Sequence, residues 1–278
     1  MSGAPADRRV DPDAVFERDE FTCQCCVDAD RLERDSLVAY HLDSPDDGAR
    51  AGGPSSLESA VTVCVSCHAV LRGRDTLASA PPVATAGREA FQTLRSTVDA
   101  QSALIRDVVA FAELATTAPT QLLDGDAPIL GERYLTARRG LRVTLAALDG
   151  RLDGLAAAAD GPLESSVAAL ERFVDEARDL QDALKAVVAG VEATVTALGR
   201  CHGCFAPIET AGAATAAARP CCRACGATQV ALEEWRDESG AVAFDALFGD
   251  LNASLEEASR RTDRVTGRAT EAAAALVG

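Results

Sequence analysis

Two stretches determine the fold of the N-terminal region: Cys23-Gln24-Cys25-Cys26 and Cys64-Val65-Ser66-Cys67-His68. Each stretch contains a Cys-x-x-Cys pair, and residues 27–63 separate the two pairs. Four thiolates in this arrangement can bind one tetrahedral Zn²⁺. We therefore predict a structural zinc site formed by Cys23, Cys26, Cys64 and Cys67, with Cys25 as its neighbour. Two histidines accompany the pairs, His41 between them and His68 directly after the second.

The composition is strongly acidic, with a formal net charge of −16 and Lys185 as the only lysine. Such a composition resembles that of proteins from halophiles that accumulate salt, in which the charge reflects solvation. The acidity argues against strong electrostatic binding of DNA, because lysine and arginine contacts to phosphate supply most of that affinity. We therefore interpret the charge as an adaptation to salt and not as the sign of a basic partner.

The compartment can also be predicted. The sequence contains no apolar run long enough to span a membrane, and residues 1–12 are too polar for a signal peptide. We therefore expect a cytoplasmic protein without a membrane partner. Thiols stay reduced in the cytoplasm, so the 10 cysteines favour metal sites over disulfides.

A different pattern begins after residue 90, where apolar residues recur at alternating steps of three and four, as in coiled coils and long bundles. The third run of this pattern consists of Leu163, Val167, Leu170, Val174, Ala177, Gln181, Leu184, Val188, Val191, Val195 and Leu198. We expect Pro119 and Pro128 to separate the first helix from the second. Gly161-Pro162 should separate the second from the third, which then fold back antiparallel.

These patterns predict a mainly α protein with a small N-terminal α+β zinc module, a long antiparallel helical bundle or coiled coil, and a C-terminal zinc ribbon. The predicted boundaries are a flexible tail at 1–11, the zinc module at 12–77, a linker at 78–87, the bundle at 88–199, the ribbon at 200–236 and a last helix at 241–278. Asp11-Pro12 should begin a short helix over 12–19. The last helix packs on the bundle, or the helices pair between two copies in a homodimer.

The second cysteine set consists of Cys201, Cys204, Cys222 and Cys225, and its spacing predicts a second zinc site. Cys221 competes with Cys222 as the ligand, a strand is expected over 228–232, and His202 should face solvent. Zinc ribbons bind nucleic acid, bind protein or join structural elements. Because no set of aromatic residues suited to base stacking accompanies Arg200, Arg219 and Arg223, we favour a staple between the third and last helices.

Three segments of the N-terminal quarter resemble an HNH endonuclease module. They are Val15-Phe16-Glu17-Arg18-Asp19-Glu20-Phe21-Thr22-Cys23-Gln24-Cys25-Cys26, Leu37-Val38-Ala39-Tyr40-His41-Leu42 and the closing segment from Leu57 to His68. The resemblance implies a two-stranded ribbon and a helix around a metal, with the first four cysteines holding structural Zn²⁺. It also implies that His41 is the general base that activates water, and that His68 is a ligand of a catalytic Mg²⁺ or similar ion.

The sequence departs from the family pattern at two positions. Tyr40 stands where the family commonly has a metal-binding Asp or His, and Ser59 stands where it has the Asn that orients the base. Tyrosine is a poor ligand for Mg²⁺. Asp43 would share a strand face with His41 if the strand continued, so it is a candidate to replace the lost ligand. As alternatives, His41 is an ordinary histidine and His68 belongs to the structural zinc site.

The resemblance therefore predicts a metal-dependent HNH endonuclease that hydrolyses phosphodiester bonds of nucleic acid, with DNA as the expected substrate. The alternative is a catalytically degenerate, HNH-derived zinc protein that binds nucleic acid or protein through its coiled coil. A purely structural coiled-coil scaffold is a third interpretation, but it leaves the N-terminal pattern unexplained.

Overall fold

A computed structural model describes residues 10–26, 32–42, 57–72, 83–159, 166–208 and 221–277. These residues are mainly helical, with one small antiparallel sheet. The helices are α1 (Pro12–Arg18), α2 (Val65–Leu71), α3 (Val83–Leu123), α4 (Ala127–Ala159), α5 (Val167–Ala197) and α6 (Phe244–Val277), and the strands are β1 (Leu37–His41) and β2 (Ala60–Cys64). The prediction of a mainly α protein with a small N-terminal sheet is confirmed.

The N-terminal unit consists of α1, the β1–β2 ribbon and α2. Asp11 caps α1 as predicted, since its carboxylate accepts a hydrogen bond from the Asp13 amide at 3.1 Å. The strands pair antiparallel, with His41 opposite Ala60 and Leu37 opposite Cys64. The apolar run that precedes Cys64 thus forms the second strand of this two-stranded sheet, and α2 follows it directly.

Arg18 and Asp19 fix the end of α1 to the second strand. The Arg18 guanidinium donates to the carbonyls of Leu57 at 2.5 Å and Ala60 at 2.7 Å. The Asp19 carboxylate accepts from the Thr62 amide at 2.7 Å and pairs with Arg18. The Arg-Asp dipeptide therefore positions the strand that leads into Cys64.

The helices α3 to α6 form the bundle around one large apolar core. α4 and α5 run antiparallel as predicted, because residues early in α4 contact residues late in α5, and residues late in α4 contact residues early in α5. Examples are Arg138 with Glu192 and Asp153 with Arg178. The expected break at Gly161-Pro162 lies outside the described residues. α6 packs mainly on α5 and also contacts α3.

The first two helices separate at residues 124–126, between Pro119 and Pro128, but Pro119 itself does not interrupt α3, which continues to Leu123. After this helix Gly125 has a φ of 89°, the left-handed conformation that glycine adopts readily. The Asp126 amide then donates to the Gln121 carbonyl at 3.0 Å, as in a Schellman motif. Pro128 lies in the first turn of α4, where a missing amide hydrogen costs little.

Other predicted features lie at the edges of the described ranges. α3 begins at Val83, inside the predicted linker over 78–87. Asp43 and most of the predicted tail over 1–11 lie outside the described residues. None of the described helices combines the length and the apolar character that a membrane span requires.

Candidate metal centres

The first candidate centre consists of Cys23, Cys26, Cys64 and Cys67, whose sulfur atoms all lie within 4.8 Å of one another. Cys23 follows a turn in which Glu20 and Phe21 have positive φ angles of 55° and 59°. The other pair begins at the end of β2 and enters the first turn of α2. Strand, turn and helix thus bring together the four residues that the spacing predicts.

Backbone amides point at the sulfur atoms of this centre. The Cys64 amide donates to Cys23 Sγ at 3.2 Å, and the Cys67 amide donates to Cys64 Sγ at 3.4 Å. Burial raises the pKa of Cys23, but the surrounding backbone amides lower it more, so its net pKa falls below the usual range. Burial and the neighbouring thiols raise the pKa of Cys26 to about 11. Four thiolates in this cluster would need a cation for charge compensation, and a divalent metal ion such as Zn²⁺ could supply it.

The second candidate centre consists of Cys201, Cys204, Cys222 and Cys225, again with all sulfur atoms within 4.8 Å. The Sγ atoms of Cys201 and Cys225 are 3.6 Å apart, and those of Cys204 and Cys222 are 3.7 Å apart. Although burial acts against it, backbone amides lower the pKa of Cys222 to about 7. Cys221 is exposed and lies outside this group, so the four-sulfur cluster contains Cys222 and not Cys221.

Two similar turns build the second centre. Phe205 donates its amide to the Cys201 carbonyl at 2.7 Å, and Gly226 donates to the Cys222 carbonyl at the same distance. Both Phe205 and Gly226 have positive φ, 59° and 72°, so glycine is favoured at the second position. The predicted strand over 228–232 does not form. Within 221–232 the structure has only an isolated bridge, between Cys221 and Thr228.

The second centre is docked on the bundle by aromatic residues. The Phe205 ring lies against Gly131 of α4, where an added Cβ would be 2.7 Å from the ring. Tyr134 of α4 contacts Phe205 at a ring-centroid distance of 5.4 Å, and its hydroxyl donates to the His202 carbonyl at 3.0 Å. Phe205 is therefore part of the bundle core, and the second centre attaches to α4.

The prediction that His202 faces solvent is wrong, because only 9% of the residue is exposed. Its Nε2 lies 2.9 Å from the Thr228 carbonyl, and its Nδ1 lies 3.7 Å from Glu192 of α5. Glu192 in turn pairs with Arg138 at 2.8 Å and Arg142 at 2.9 Å. A buried charged network thus connects the second centre to α4 and α5.

Sequence reasoning missed the role of Glu192. One feature of the sequence could have revealed it. Arg138 occupies a position of α4 at which the helix repeat places apolar residues, and a guanidinium buried there needs a charged partner. The two arginines lower the pKa of Glu192 although its burial raises it. The carboxylate is therefore ionised at neutral pH and holds Arg138, which is 1% exposed.

The first centre is docked on the other part of α4. Val143 of α4 lies in the same apolar cluster as Cys23, Val61 and Val63. A Cβ added at Gly150 would lie 2.5 Å from the Val70 carbonyl of α2, so the two helices approach closely there. Arg139 of α4 also forms an ion pair with Glu58. The helix α4 therefore contacts both candidate centres.

The predicted catalytic residues are placed as follows. Tyr40 and His68 pack edge to face with ring centroids 6.3 Å apart. The next residue along β1 is His41, and side chains of a strand alternate between faces, so His41 points away from the face that carries Tyr40. His68 Nε2 accepts a hydrogen bond from Arg72 at 3.4 Å. Among the described residues, only the two cysteine sets bring three or more potential ligands together.

Tyr40, in β1 of the N-terminal unit, lies on the side of this unit that packs on α4. It packs against the apolar cluster that contains Val143, and burial is the main factor that raises its pKa, to which Asp149 of α4 adds. The phenol is therefore protonated at neutral pH. A neutral phenol beside His68 does not offer the anionic oxygen that Mg²⁺ prefers.

Comparisons with known proteins give no family for this chain. No protein-family model matches it, and no curated protein and no solved structure matches it either.

Proposed function

We propose that this chain is a catalytically degenerate, HNH-derived zinc protein that acts by binding. In this proposal Zn²⁺ at both cysteine centres is structural, and each centre fixes a small unit to the helical bundle. Four-cysteine sites of this kind leave no open coordination position for chemistry. A protein is the favoured partner class over DNA, because the net charge of −16 opposes phosphate binding.

The contact between Tyr40 and His68 is the observation that carries this proposal. In the HNH pattern the residue before the base histidine and the terminal histidine bind the same catalytic metal. Here a protonated phenol occupies the first of these positions, and α4 packs against the face that carries it. Both features oppose metal-dependent hydrolysis at His68.

A second candidate function is the HNH endonuclease, with DNA as substrate. The observation that favours it is the order of β1, β2 and α2 around the first four cysteines, which matches the order that the resemblance implies. In that case His41 is the general base, His68 binds a divalent ion such as Mg²⁺, and Asp43 is a candidate for the missing ligand.

A plasmid-nicking assay distinguishes the two functions. Zinc-loaded protein is incubated with supercoiled plasmid in molar KCl with Mg²⁺ or Mn²⁺, and wild type is compared with His41→Ala. The proposal expects no metal-dependent nicking by either protein. Nicking by wild type that His41→Ala abolishes would establish the endonuclease instead. Zinc analysis of both samples ensures that the compared proteins are equally loaded.

A further inference from the structure

A buried glutamine joins the two turns of the second centre, which are formed by residues 201–205 and 222–226. Gln229 follows the second of these turns, and only 4% of the residue is exposed. Its side-chain Nε2 donates to Cys201 Sγ at 3.4 Å and to the Ala227 carbonyl at 3.1 Å. A side chain that follows one turn thus contacts the sulfur atom of a predicted metal ligand in the other.

The orientation of the Gln229 carboxamide follows from its neighbours. A cysteine sulfur and a backbone carbonyl oxygen both accept hydrogen bonds, so the amide nitrogen faces them and the amide oxygen does not. The Oε1 atom is buried and has no hydrogen-bond partner among the described residues. Burying an unpaired carbonyl oxygen destabilises a fold, so an apolar residue would fill this space better unless the N–H contacts matter.

The sulfur atom that Gln229 contacts belongs to the most buried cysteine of the second centre. Cys201 is 0% exposed, so water cannot solvate a thiolate there and its hydrogen bonds must come from the protein. The Gly203 amide donates to this sulfur atom at 3.3 Å, and Gln229 is a second donor. Hydrogen bonds to an ionised ligand are strong, and such outer contacts orient the ligands of a metal.

Close contacts beside Gln229 fix its position. A Cβ added at Gly203 would lie 2.9 Å from the Ala227 Cβ, so the two turns approach closely there. The carbonyl of the next residue, Thr228, lies 2.9 Å from His202 Nε2. Three successive residues that follow one turn therefore face three successive residues of the other, and Gln229 is the member of this set that reaches a sulfur atom.

We propose that Gln229 is a positioning residue of the second centre, where its carboxamide holds the Cys201 thiolate in place and thereby increases the affinity for the metal. The inference rests on the proposed occupancy of that centre by Zn²⁺. The chain fits such an ion, because four sulfur atoms lie within 4.8 Å of one another and Zn²⁺ accepts four thiolates. Loss of an outer contact of this kind typically lowers metal affinity about 10–100-fold.

Gln101 of α3 offers a matched control. It is 2% exposed, and its Oε1 also has no hydrogen-bond partner among the described residues. Its Nε2, however, lies 3.5 Å from the Ala177 carbonyl inside the bundle. Methionine is an unbranched residue of similar size without an N–H donor. Gln101→Met should therefore leave metal binding unchanged, whereas Gln229→Met should weaken the second centre.

The test loads the full-length wild type and both variants with ¹¹³Cd²⁺, which replaces Zn²⁺ at thiolate sites and gives one NMR signal for each centre. Cys222→Ser identifies the signal of the second centre by its loss. In competition with a chelator, Gln229→Met should bind the second metal at least about 10-fold more weakly than wild type. The signal of the first centre should keep its wild-type affinity in Gln229→Met, and both signals should keep it in Gln101→Met.

A second measurement uses the wild-type protein alone. Scalar coupling passes through N–H···S hydrogen bonds to a bound metal, so a spectrum that correlates ¹H with ¹¹³Cd identifies the donors directly. We expect the second metal to correlate with the backbone amide of Gly203 and with the side-chain amide of Gln229. This measurement remains decisive if Gln229→Met does not fold.

Three outcomes would overturn the proposal. The first is wild-type affinity of the second centre in Gln229→Met. The second is a ¹¹³Cd spectrum that shows the Gly203 correlation without that of Gln229. The third is equal weakening by Gln101→Met, which would assign the effect to packing. Metal content of the wild type separately tests whether the second centre is occupied, and the nicking assay separately tests the proposed function.

Discussion

Removing the Glu192 carboxylate should expose how strongly the second centre's network stabilises the protein. Glu192→Ala deletes the partner of Arg138, whose side chain is 1% exposed, and the two groups are 2.8 Å apart. The buried arginine would then lose the carboxylate that compensates its charge, and breaking a buried ion pair in this way typically costs about 3–5 kcal/mol. We expect the free energy of unfolding of the zinc-loaded protein to fall by that amount, as measured by denaturant titration in molar KCl.

An exposed pair on the same two helices is the matched control. Arg178 and Asp153 also lie 2.8 Å apart, but their side chains are 47% and 65% exposed. Solvent screens such a pair, so Asp153→Ala should cost at most about 1 kcal/mol. If Glu192→Ala were no more destabilising than Asp153→Ala, the argument that burial makes this network important would be refuted.

The same residue predicts a pH effect with a definite sign. Arg138 and Arg142 hold the folded-state pKa of Glu192 below its usual value near 4.5 although burial raises it. A lowered folded pKa gives stability that is present above the unfolded pKa and is lost as pH falls through the folded pKa. Glu192→Gln should therefore show a weaker loss of stability below about pH 4.5 than wild type. Acid release of zinc affects both proteins, so the difference between their unfolding curves is the measurement.

Two further predictions concern the metal and the docking of the N-terminal unit. Cys64→Ser and Cys222→Ser should each reduce the metal content from two zinc to one per chain, since each removes a ligand of a different centre; elemental analysis that finds two zinc in either variant would contradict the assignment. Gly150→Ala should lower the free energy of unfolding by about 1–3 kcal/mol, because the added Cβ would lie 2.5 Å from the Val70 carbonyl. Limited proteolysis should then cleave the N-terminal unit of this variant faster than that of wild type. Gly140→Ala on the same helix meets no atom within 4 Å and should stabilise by about 0.5–1 kcal/mol; equal effects of the two substitutions would refute the docking geometry.

Features set by neighbouring residues could be predicted from the sequence. Asp11-Pro12 predicted the start of α1, and the cysteine spacing predicted which cysteines form the two four-sulfur clusters. In each case the decisive geometry lies within a few residues or follows from the ligand requirements of one metal. The repeat of apolar residues at steps of three and four likewise predicted which side of α5 is buried, because residues at that spacing lie on one side of a helix.

Features that depend on how the elements pack could not be predicted in this way. The burial of His202 follows from the approach of α5, which no local pattern encodes. Val143 and Gly150 look like ordinary helix residues, and only the packing of α2 on α4 gives them a docking role. Propensity predicted that Pro119 and Pro128 separate the first two helices, whereas Gly125 and its turn determine where α3 ends.

The position of α6 has a consequence for biosynthesis. Ser166, at the start of α5, donates its hydroxyl to the carbonyl of Ala275 at 2.7 Å, and α6 also covers α3. The ribosome therefore completes α3 and α5 long before it makes the helix that covers their apolar sides. Until then those sides stay open to aggregation or chaperone binding, so the bundle can close only after α6 has been made.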